Sequence, residues 1–497
     1  MGTLTGLLLL LPALGAVAVG LAPRAASLRI GLVVALLTVL DAGGMLVGFD
    51  YEASGALQLE VDWAWVPSIG LRFHLGVDGI SLPLVVLTTV LVALCLVALR
   101  RQVPDPGRER ALVVLVLVLE IGMLGTFLAL DVVLFFLFFE TVLLPMYAVI
   151  AIWGGPARRA AANKFLLYTL LGSAVMLVGL LAAASYAGSF SIKQIIDHSG
   201  HGMSHTVQVL VFLALAGGLA VKVPMWPLHS WLPDAHTEAP TVGSVLLAGV
   251  LLKMGTYGII RIALPAAPDG ARTLAPFLGA YAVVGIVYAA LACLAQRDLK
   301  RLIAFSSVGH MGFVLLGIAT LTPVGVNAAL FGNIAHGVIT GLLFFLAGAV
   351  KERYGTTDFT ELGSGMRAKI PHLAAFLAVT SVASLGLPGF AGFWAEMLAL
   401  LGAWQPAAGL PRPVYLAYLA IAGLGSLLTA AYFLVMVHRV AHGQVAARWR
   451  AVALPGVSRV ELVTWLPLAV AMVLAGVWPR TLLGLTQAAV QRLLGGG

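Results

Sequence analysis

Hydrophobic stretches of about 20 residues recur along the whole chain and are separated by short polar segments. A helix needs about 20 mainly apolar residues to cross the hydrocarbon core of a bilayer. These stretches are too long and too uniformly apolar for barrel strands, so the pattern predicts fourteen spanning helices. The predicted spans are residues 3–22, 30–49, 78–99, 111–130, 132–153, 164–187, 206–227, 241–263, 273–295, 301–320, 325–350, 372–402, 414–437 and 461–480.

The polar segments between the spans are too short for a separate soluble domain. The longest are residues 50–76, 188–205, 351–371 and 438–460. The chain begins with an apolar run that no Lys or Arg precedes, whereas a cleaved signal peptide has a basic region first. We therefore expect residues 3–22 to be a retained span.

Composition supports a membrane environment. Of the 497 residues, 61% are hydrophobic and 10% are charged, whereas a soluble domain carries roughly 25% charged residues. The fold class predicted is an all-α polytopic membrane protein of about fourteen transmembrane helices.

The distribution of Lys and Arg gives an orientation. Loops after odd-numbered spans carry twenty of the 29 Lys and Arg residues, the opposite loops carry seven, and Lys222 and Lys253 lie inside spans. Basic loops face the cytoplasm in membrane proteins. We expect both termini on the extracytoplasmic side of the cell's inner (plasma) membrane. The net charge of +8 then requires no nucleic-acid partner.

Cofactor patterns are weak in this sequence. The two cysteines, Cys95 and Cys293, each stand alone in an apolar run, so an iron–sulfur or zinc site is not expected. Residues 363–368 formally match the dinucleotide fingerprint but lack the strand and βαβ unit that it requires. We expect no metal and no bound cofactor, and any linked redox chemistry must occur on another chain.

Two charged residues fall in the middle of predicted spans. Glu140 interrupts the run FFLFFETVLLP, and Lys253 lies ten or more residues from either end of its span, with Tyr257 one turn further on the same face. An ionisable side chain at this depth costs about 3 kcal/mol to insert and indicates a functional role. The alternatives are a structural hydrogen bond for Glu140 and, with more difficulty, a snorkelling side chain for Lys253.

Two further charges lie beside breaks in spans. Lys222 is followed by Pro224 and Pro227 and then by more apolar sequence, so we interpret it as lying at the break of the seventh span. An interfacial anchor at a helix end is the alternative. Glu396 follows Pro388 in the twelfth span.

Interrupted helices in corresponding halves indicate inverted repeats with ion sites near the bilayer midplane. We expect an N-terminal three-helix segment and a C-terminal span to flank two five-helix repeats, made of spans 4–8 and 9–13. The corresponding ranges are 1–110, 111–265, 270–440 and 441–497.

Histidines supply candidate connections between these charges. His310 and His336 lie in mid-span, the first with Ser306 and the second with Asn333 and Thr340 on its face. Histidine titrates near working pH and can relay protons, although a lone buried histidine is often structural. His229 follows the break in span seven and is also a candidate. The cluster of His198, His201 and His205 is interpreted as solvent-facing loop.

A mechanism follows from these charges. Burial favours the neutral form of a lysine, and a nearby carboxylate favours its charged form. A change in the separation of Glu140 and Lys222 would load or unload a proton. Lys253 and His310 would pass the proton on, and Glu396 would release it.

One block of sequence carries a specific resemblance. Residues 222–253 read KVPMWPLHSWLPDAHTEAPTVGSVLLAGVLLK, and residues 298–307 read DLKRLIAFSS. These segments resemble the proton-translocating, antiporter-like membrane subunits of NADH:quinone oxidoreductase (complex I) and of multi-subunit cation/proton antiporters. The similarity extends over most of spans 4–13. The DAHTEAP wording and a glutamate at Glu396 resemble the subunit M branch, whereas the short C-terminal segment differs from subunit L.

The resemblance implies a fourteen-helix fold with a mid-membrane polar axis that includes Glu140, Lys222, Lys253 and Glu396. It also implies neighbouring membrane subunits of complex I, with the related subunits L and N on either side. NADH, FMN, iron–sulfur clusters and quinone would then be bound by other chains, where quinone reduction drives this translocase. A secondary cation/proton antiporter subunit and an inert helical scaffold remain the alternatives.

Overall fold

The computed structural model describes residues 2–101 and 103–495 of the chain. Eighteen helices and two strands are labelled here in chain order. They are α1 (Thr3–Leu21), α2 (Arg24–Gly48), β1 (Gln58–Val66), β2 (Leu71–Val77), α3 (Leu82–Leu99), α4 (Glu109–Leu128), α5 (Val132–Trp153), α6 (Arg158–Ala187), α7 (Ile192–His198), α8 (His205–Lys222), α9 (Trp231–Glu238), α10 (Thr241–Ala266), α11 (Pro268–Leu294), α12 (Leu299–Ala319), α13 (Pro323–Tyr354), α14 (Pro371–Ser384), α15 (Ala391–Trp404), α16 (Arg412–Ala441), α17 (Arg459–Val477) and α18 (Arg480–Leu493).

The predicted span count is confirmed. Thirteen helices within the described part of the chain are long and apolar enough to cross a membrane, and α14 with α15 forms one further, interrupted span. The helices differ in which surfaces they bury. α10, α12 and α13 are buried almost all round, whereas α1, α2, α16 and α17 expose apolar side chains along one side. A helix that is apolar all round belongs in the interior of a bundle. The three central helices therefore form the core, and the outer helices face lipid.

Both predicted breaks are present. α8 ends at Lys222, and the chain resumes as a helix only at Trp231. α14 ends at Ser384, and α15 begins at Ala391. Proline lacks the backbone donor that continues a helix, and each gap contains proline. In each predicted five-span repeat the interrupted span is the fourth.

Two extramembrane elements were not predicted from the sequence. β1 and β2 form an antiparallel hairpin in the segment that we interpreted as polar connection, and α18 is an amphipathic helix after the last span. In the hairpin, Arg72 Nε lies 2.7 Å from Asp62 Oδ1. This hydrogen bond from Arg72 lowers the pKa of Asp62. Because both side chains are exposed, the pair contributes little to stability.

A buried ion cluster attaches the last span to the core. Arg353 near the end of α13 contacts both carboxylate oxygens of Glu461 in α17, at 2.6 and 2.8 Å, and Arg101 Nη1 lies 2.8 Å from Glu461 Oε2. Glu461 also completes a capping box with Ser458 at the start of α17. Three distant segments thus meet at one carboxylate.

Candidate functional site

Lys253 lies at the centre of the bundle, on the fully buried helix α10. Its Nζ donates to the carbonyl of Ala248 and lies 2.6 Å from Nδ1 of His336 on α13. A π-helical turn, Leu247–Leu251, precedes Lys253 and changes the backbone hydrogen-bond register there. Such turns inside α-helices are frequent at functional sites. Lys253 is therefore placed by a local irregularity and held by a histidine from another helix.

The contacts continue from His336 to His310. The two imidazole rings are 5.8 Å apart between centroids and belong to α13 and α12. His310 Nε2 lies 3.0 Å from the hydroxyl of Ser384, the last residue of α14. A cavity of about 30 Å³ is lined by both histidines and by Ser384. Since a water needs about 10–15 Å³ by this measure, the cavity has room for about two waters.

Glu396 ends this series of contacts. Its Oε1 lies 3.7 Å from His310 Nδ1, and its Oε2 accepts a hydrogen bond of 2.8 Å from Ser426 on α16. The carboxyl group is buried on α15, directly after the second break. Lys253, His336, His310 and Glu396 therefore form a continuous polar axis across four helices.

Lys222 and Glu140 lie outside this continuous axis. Lys222 is buried, and its Nζ lies 4.3 Å from the centre of the Phe139 ring. Glu140 is half-buried on α5. No ion pair within 4.0 Å joins these two described residues, although each charge acts on the other. The two groups are close enough to influence one another and are not locked together.

The remaining histidine candidates differ in position. His229 is buried in the first break, where its ring contacts that of Tyr288 at 4.9 Å, edge to face. No hydrogen bond in the described part of the chain links it to the polar axis. The cluster His198, His201 and His205 lies outside the bundle as expected. It is only partly loop, because His198 ends α7 and His205 begins α8.

Sequence reasoning did not single out His236 on α9 as a site residue, although it is fully buried. Its ring stacks on that of Phe344 at 4.5 Å, and neither ring nitrogen has a partner among the described residues. Phe344, Thr340 and His336 are spaced four residues apart on α13 and so share one face. The Thr340 hydroxyl and His336 Nε2 are likewise unpartnered. A row of unsatisfied polar atoms thus leads from His236 to the axis, and buried polar atoms of this kind usually bind water.

A cavity of about 420 Å³ opens at the end of the bundle where α9 ends and α12 begins, two residues along the chain from His236. Glu238 and Lys300 line it, and Lys300 Nζ donates to the carbonyl of Ala239. Lys300 is buried, whereas the sequence placed it with the loop charges. The sequence held a signal for His236 and for Lys300. His236 lies in the block 222–253, and Lys300 lies at the start of the tenth span.

Two more buried charges correct the sequence reading. Arg261 was counted with the loop residues but lies inside α10, where its Nη2 is 2.5 Å from Asp78 Oδ1 and its Nε is 3.3 Å from the Tyr257 hydroxyl. Asp78 also accepts hydrogen bonds from the backbone of Ile80 and Ser81. Glu120 on α4 is completely buried and was overlooked, and neither of its oxygens has a partner in the described residues.

The Asp78–Arg261 pair gives a stability prediction. Asp78→Asn should destabilise the protein by about 3–5 kcal/mol, because it leaves the Arg261 guanidinium buried without a counter-charge. The measurement is thermal unfolding in detergent. Asp62→Asn, which breaks an exposed pair, is the matched control and should change stability by less than about 1 kcal/mol. Equal effects of the two substitutions would show that the buried pair is not structural.

No metal centre is apparent in the part of the chain that the structure describes: no group of three or more His, Cys, Asp or Glu side chains is arranged to hold an ion. Both cysteines are buried and unpaired.

Comparison with known proteins decides the family. Residues 129–411 match the family described as NADH:quinone oxidoreductase/Mrp antiporter, transmembrane. NADH-quinone oxidoreductase subunit M of Rhodobacter capsulatus is 40% identical over 475 residues, which cover 94% of this chain and 90% of that protein. The chain belongs to the NADH-quinone oxidoreductase subunit M family. NAD(P)H-quinone oxidoreductase chain 4 of a Synechococcus strain is 42% identical over 441 residues, covering 88% of this chain and 82% of that one.

Solved structures share the fold of this chain. A chain of respiratory complex I from Thermus thermophilus superposes with a TM-score of 0.87 at 30% identity, covering 99% of this chain and 100% of that one. A chain of the Mrp complex from Dietzia superposes with a TM-score of 0.86 at 21% identity, covering 99% and 97%. The second likeness shows the shared fold. The protein is thus a multi-pass membrane subunit of NADH-quinone oxidoreductase with the antiporter-like fold.

Proposed function

We propose that this subunit M translocates protons along the axis Lys253–His336–His310–Glu396 while quinone is reduced elsewhere in the complex. The observation that carries the proposal is the series of closely spaced titratable groups across the centre of the bundle, in which successive members lie 2.6 to 5.8 Å apart. Each group can hold a proton and pass it to the next, and the small cavity at His310 can hold the water that bridges the longer gaps.

Uptake and release are assigned to opposite ends of this axis. Protons would enter from the cavity at Glu238 and Lys300, pass His236 and the Thr340 hydroxyl, and reach His336 and Lys253. Glu396 would release them on the other side of the membrane, because a carboxyl group beside His310 gives up its proton when the neighbouring charge changes. The side rich in Lys and Arg is proposed to be cytoplasmic, which places both termini outside.

Lys222 and Glu140 are proposed to control loading of the axis. Gly255, two residues from Lys253, packs directly on Val223, the residue after Lys222. A change of charge at Lys222 is therefore transmitted to the start of the axis. Approach of Glu140 favours the charged form of Lys222, and its withdrawal favours release of the proton. The broken helix allows the Lys222 side chain to move without unwinding a continuous span. His229 is assigned to the same break.

The assembly proposed for this chain follows its relatives. Other membrane subunits of complex I would flank it, with the antiporter-like subunits L and N as neighbours. NADH, FMN, iron–sulfur clusters and quinone would be bound by other subunits. Co-purification tests this point: the chain should come with a peripheral arm that oxidises NADH. Isolation with cation/proton antiporter subunits and no NADH oxidation would favour the antiporter alternative.

Substitutions at the loading pair test the mechanism. Lys222→Ala and Glu140→Ala should each abolish or strongly reduce NADH-driven proton pumping while the complex still assembles. Glu140→Asp should be milder, because it keeps the charge and loses one methylene of reach. The measurement is dye-detected acidification of inverted membrane vesicles, together with NADH oxidation. Lys193→Ala, at an exposed position on α7, is the control. Normal pumping per NADH in both alanine variants would contradict a role for the pair.

A further inference from the structure

A cavity lined by basic side chains lies away from the polar axis, where α11 and α16 end on the same side of the membrane. Its volume is about 670 Å³, and Arg297, Ser364, His438 and Arg439 are among its lining residues. α11 and α16 pack side by side and run in the same direction, since Gly279 faces Tyr418, Gly425 faces Ile286, and Arg439 Nη1 lies 3.4 Å from the Gln296 carbonyl. Their cationic ends therefore meet at one place.

The cavity is electropositive. No carboxylate is among its lining residues, and within the described chain neither Arg297 nor Arg439 forms an ion pair. Asp358 is the nearby acid that Arg297 influences. Its carboxylate instead accepts hydrogen bonds from Thr360 and caps the short helix Phe359–Leu362. Those hydrogen bonds from Thr360 and, to a smaller extent, the Arg297 charge lower the pKa of Asp358.

Apolar surface leads directly into this cationic end. Leu424, Leu427 and Leu434 are exposed on α16 at spacings that place them on one face, and His438 is the next residue on that face. A ligand that covers both regions must carry long hydrocarbon chains and a negative headgroup.

We propose that this cavity binds an anionic phospholipid. The phosphate lies between Arg297 and Arg439, the Ser364 hydroxyl donates to the headgroup, and the acyl chains follow the exposed face of α16. Basic pockets at helix ends on the side rich in Lys and Arg suit such headgroups. The occupant is a lipid and not a soluble anion, because the apolar stripe on α16 continues the cavity into the membrane.

The experiment is native mass spectrometry of the purified full-length chain in detergent, titrated with phosphatidylglycerol, phosphatidylcholine or inorganic phosphate. Wild type should prefer phosphatidylglycerol over phosphatidylcholine by about 10- to 30-fold, the preference that two arginines near the surface provide. Arg297→Gln combined with Arg439→Gln should reduce the ratio to near one. Arg24→Gln combined with Arg29→Gln, which removes the same charge from the exposed start of α2, should leave it unchanged.

Each other outcome overturns the proposal. Equal binding of the two lipids by wild type would show that the cavity does not select charge. Competition by millimolar inorganic phosphate, as effective as phosphatidylglycerol, would identify a soluble-anion site. Loss of the preference in the Arg24/Arg29 control would show a non-specific charge effect. Size-exclusion chromatography will show whether the double glutamine variant is folded. If it is not, Arg297→Lys combined with Arg439→Lys keeps both charges and should retain most of the lipid preference. Loss of the preference in that lysine variant would contradict headgroup binding by charge.

Discussion

Lys253→Met should abolish proton pumping with little loss of the folded protein. Methionine has a similar length and can pack in the same buried site, but it cannot carry a proton. The substitution interrupts the axis at its first titratable group, where Nζ contacts His336. A positioned acid or base contributes about 10²- to 10⁴-fold to a proton-transfer rate, so pumping should fall by at least about 100-fold. NADH-driven acidification of inverted vesicles is the measurement.

Met254→Leu is the matched control, because the neighbouring residue is equally buried and its side chain carries no titratable group. It should leave pumping near normal and should report any effect of repacking α10. If the Lys253→Met variant assembles and still moves the wild-type number of protons per NADH oxidised, Lys253 is not part of the path. The axis would then have to begin at His336.

Glu396→Gln should also reduce pumping strongly, at the other end of the axis. Glutamine has nearly the same volume and its side-chain oxygen can still accept from Ser426, so subunit content and thermal stability should stay within about 1 kcal/mol of wild type. It cannot ionise, so it cannot release a proton. NADH oxidation should slow in parallel if electron transfer and pumping are tightly coupled. Glu361→Gln, at an exposed site, is the control.

Glu396→Lys sharpens this test, because a lysine can also bind and release a proton but carries the opposite charge when ionised. A relay that needs only a titratable group should retain partial pumping with lysine and lose it with glutamine. Normal pumping by Glu396→Gln would make Glu396 structural and move the release site elsewhere, with His336 as the next candidate.

The span count, the two breaks and the candidate residues on the axis were predictable because lipid makes the sequence unusually informative. Every spanning segment must be long and apolar, so a charge such as Lys253 or Glu396 stands out against its surroundings. Proline placed the breaks beside Lys222 and before Glu396 for the same local reason: it cannot continue a helix. These features depend on neighbouring residues alone.

Tertiary structure decided which of these residues meet. Lys253 and His336 are 83 positions apart in the chain, and Glu396 reaches His310 from another helix, so spacing along the sequence cannot show their contacts. The same limit hid the partner of Arg261, because helix packing buries it against Asp78, which is 183 positions away in the chain. It also hid His236. Only the structure shows that its ring stacks on Phe344, that its nitrogens have no partner among the described residues, and that the Thr340 hydroxyl is likewise unpartnered. Periodicity and hydropathy are local properties and determined the helices. The proposed proton path depends on contacts between distant segments, which only the packed bundle brings within a few ångströms.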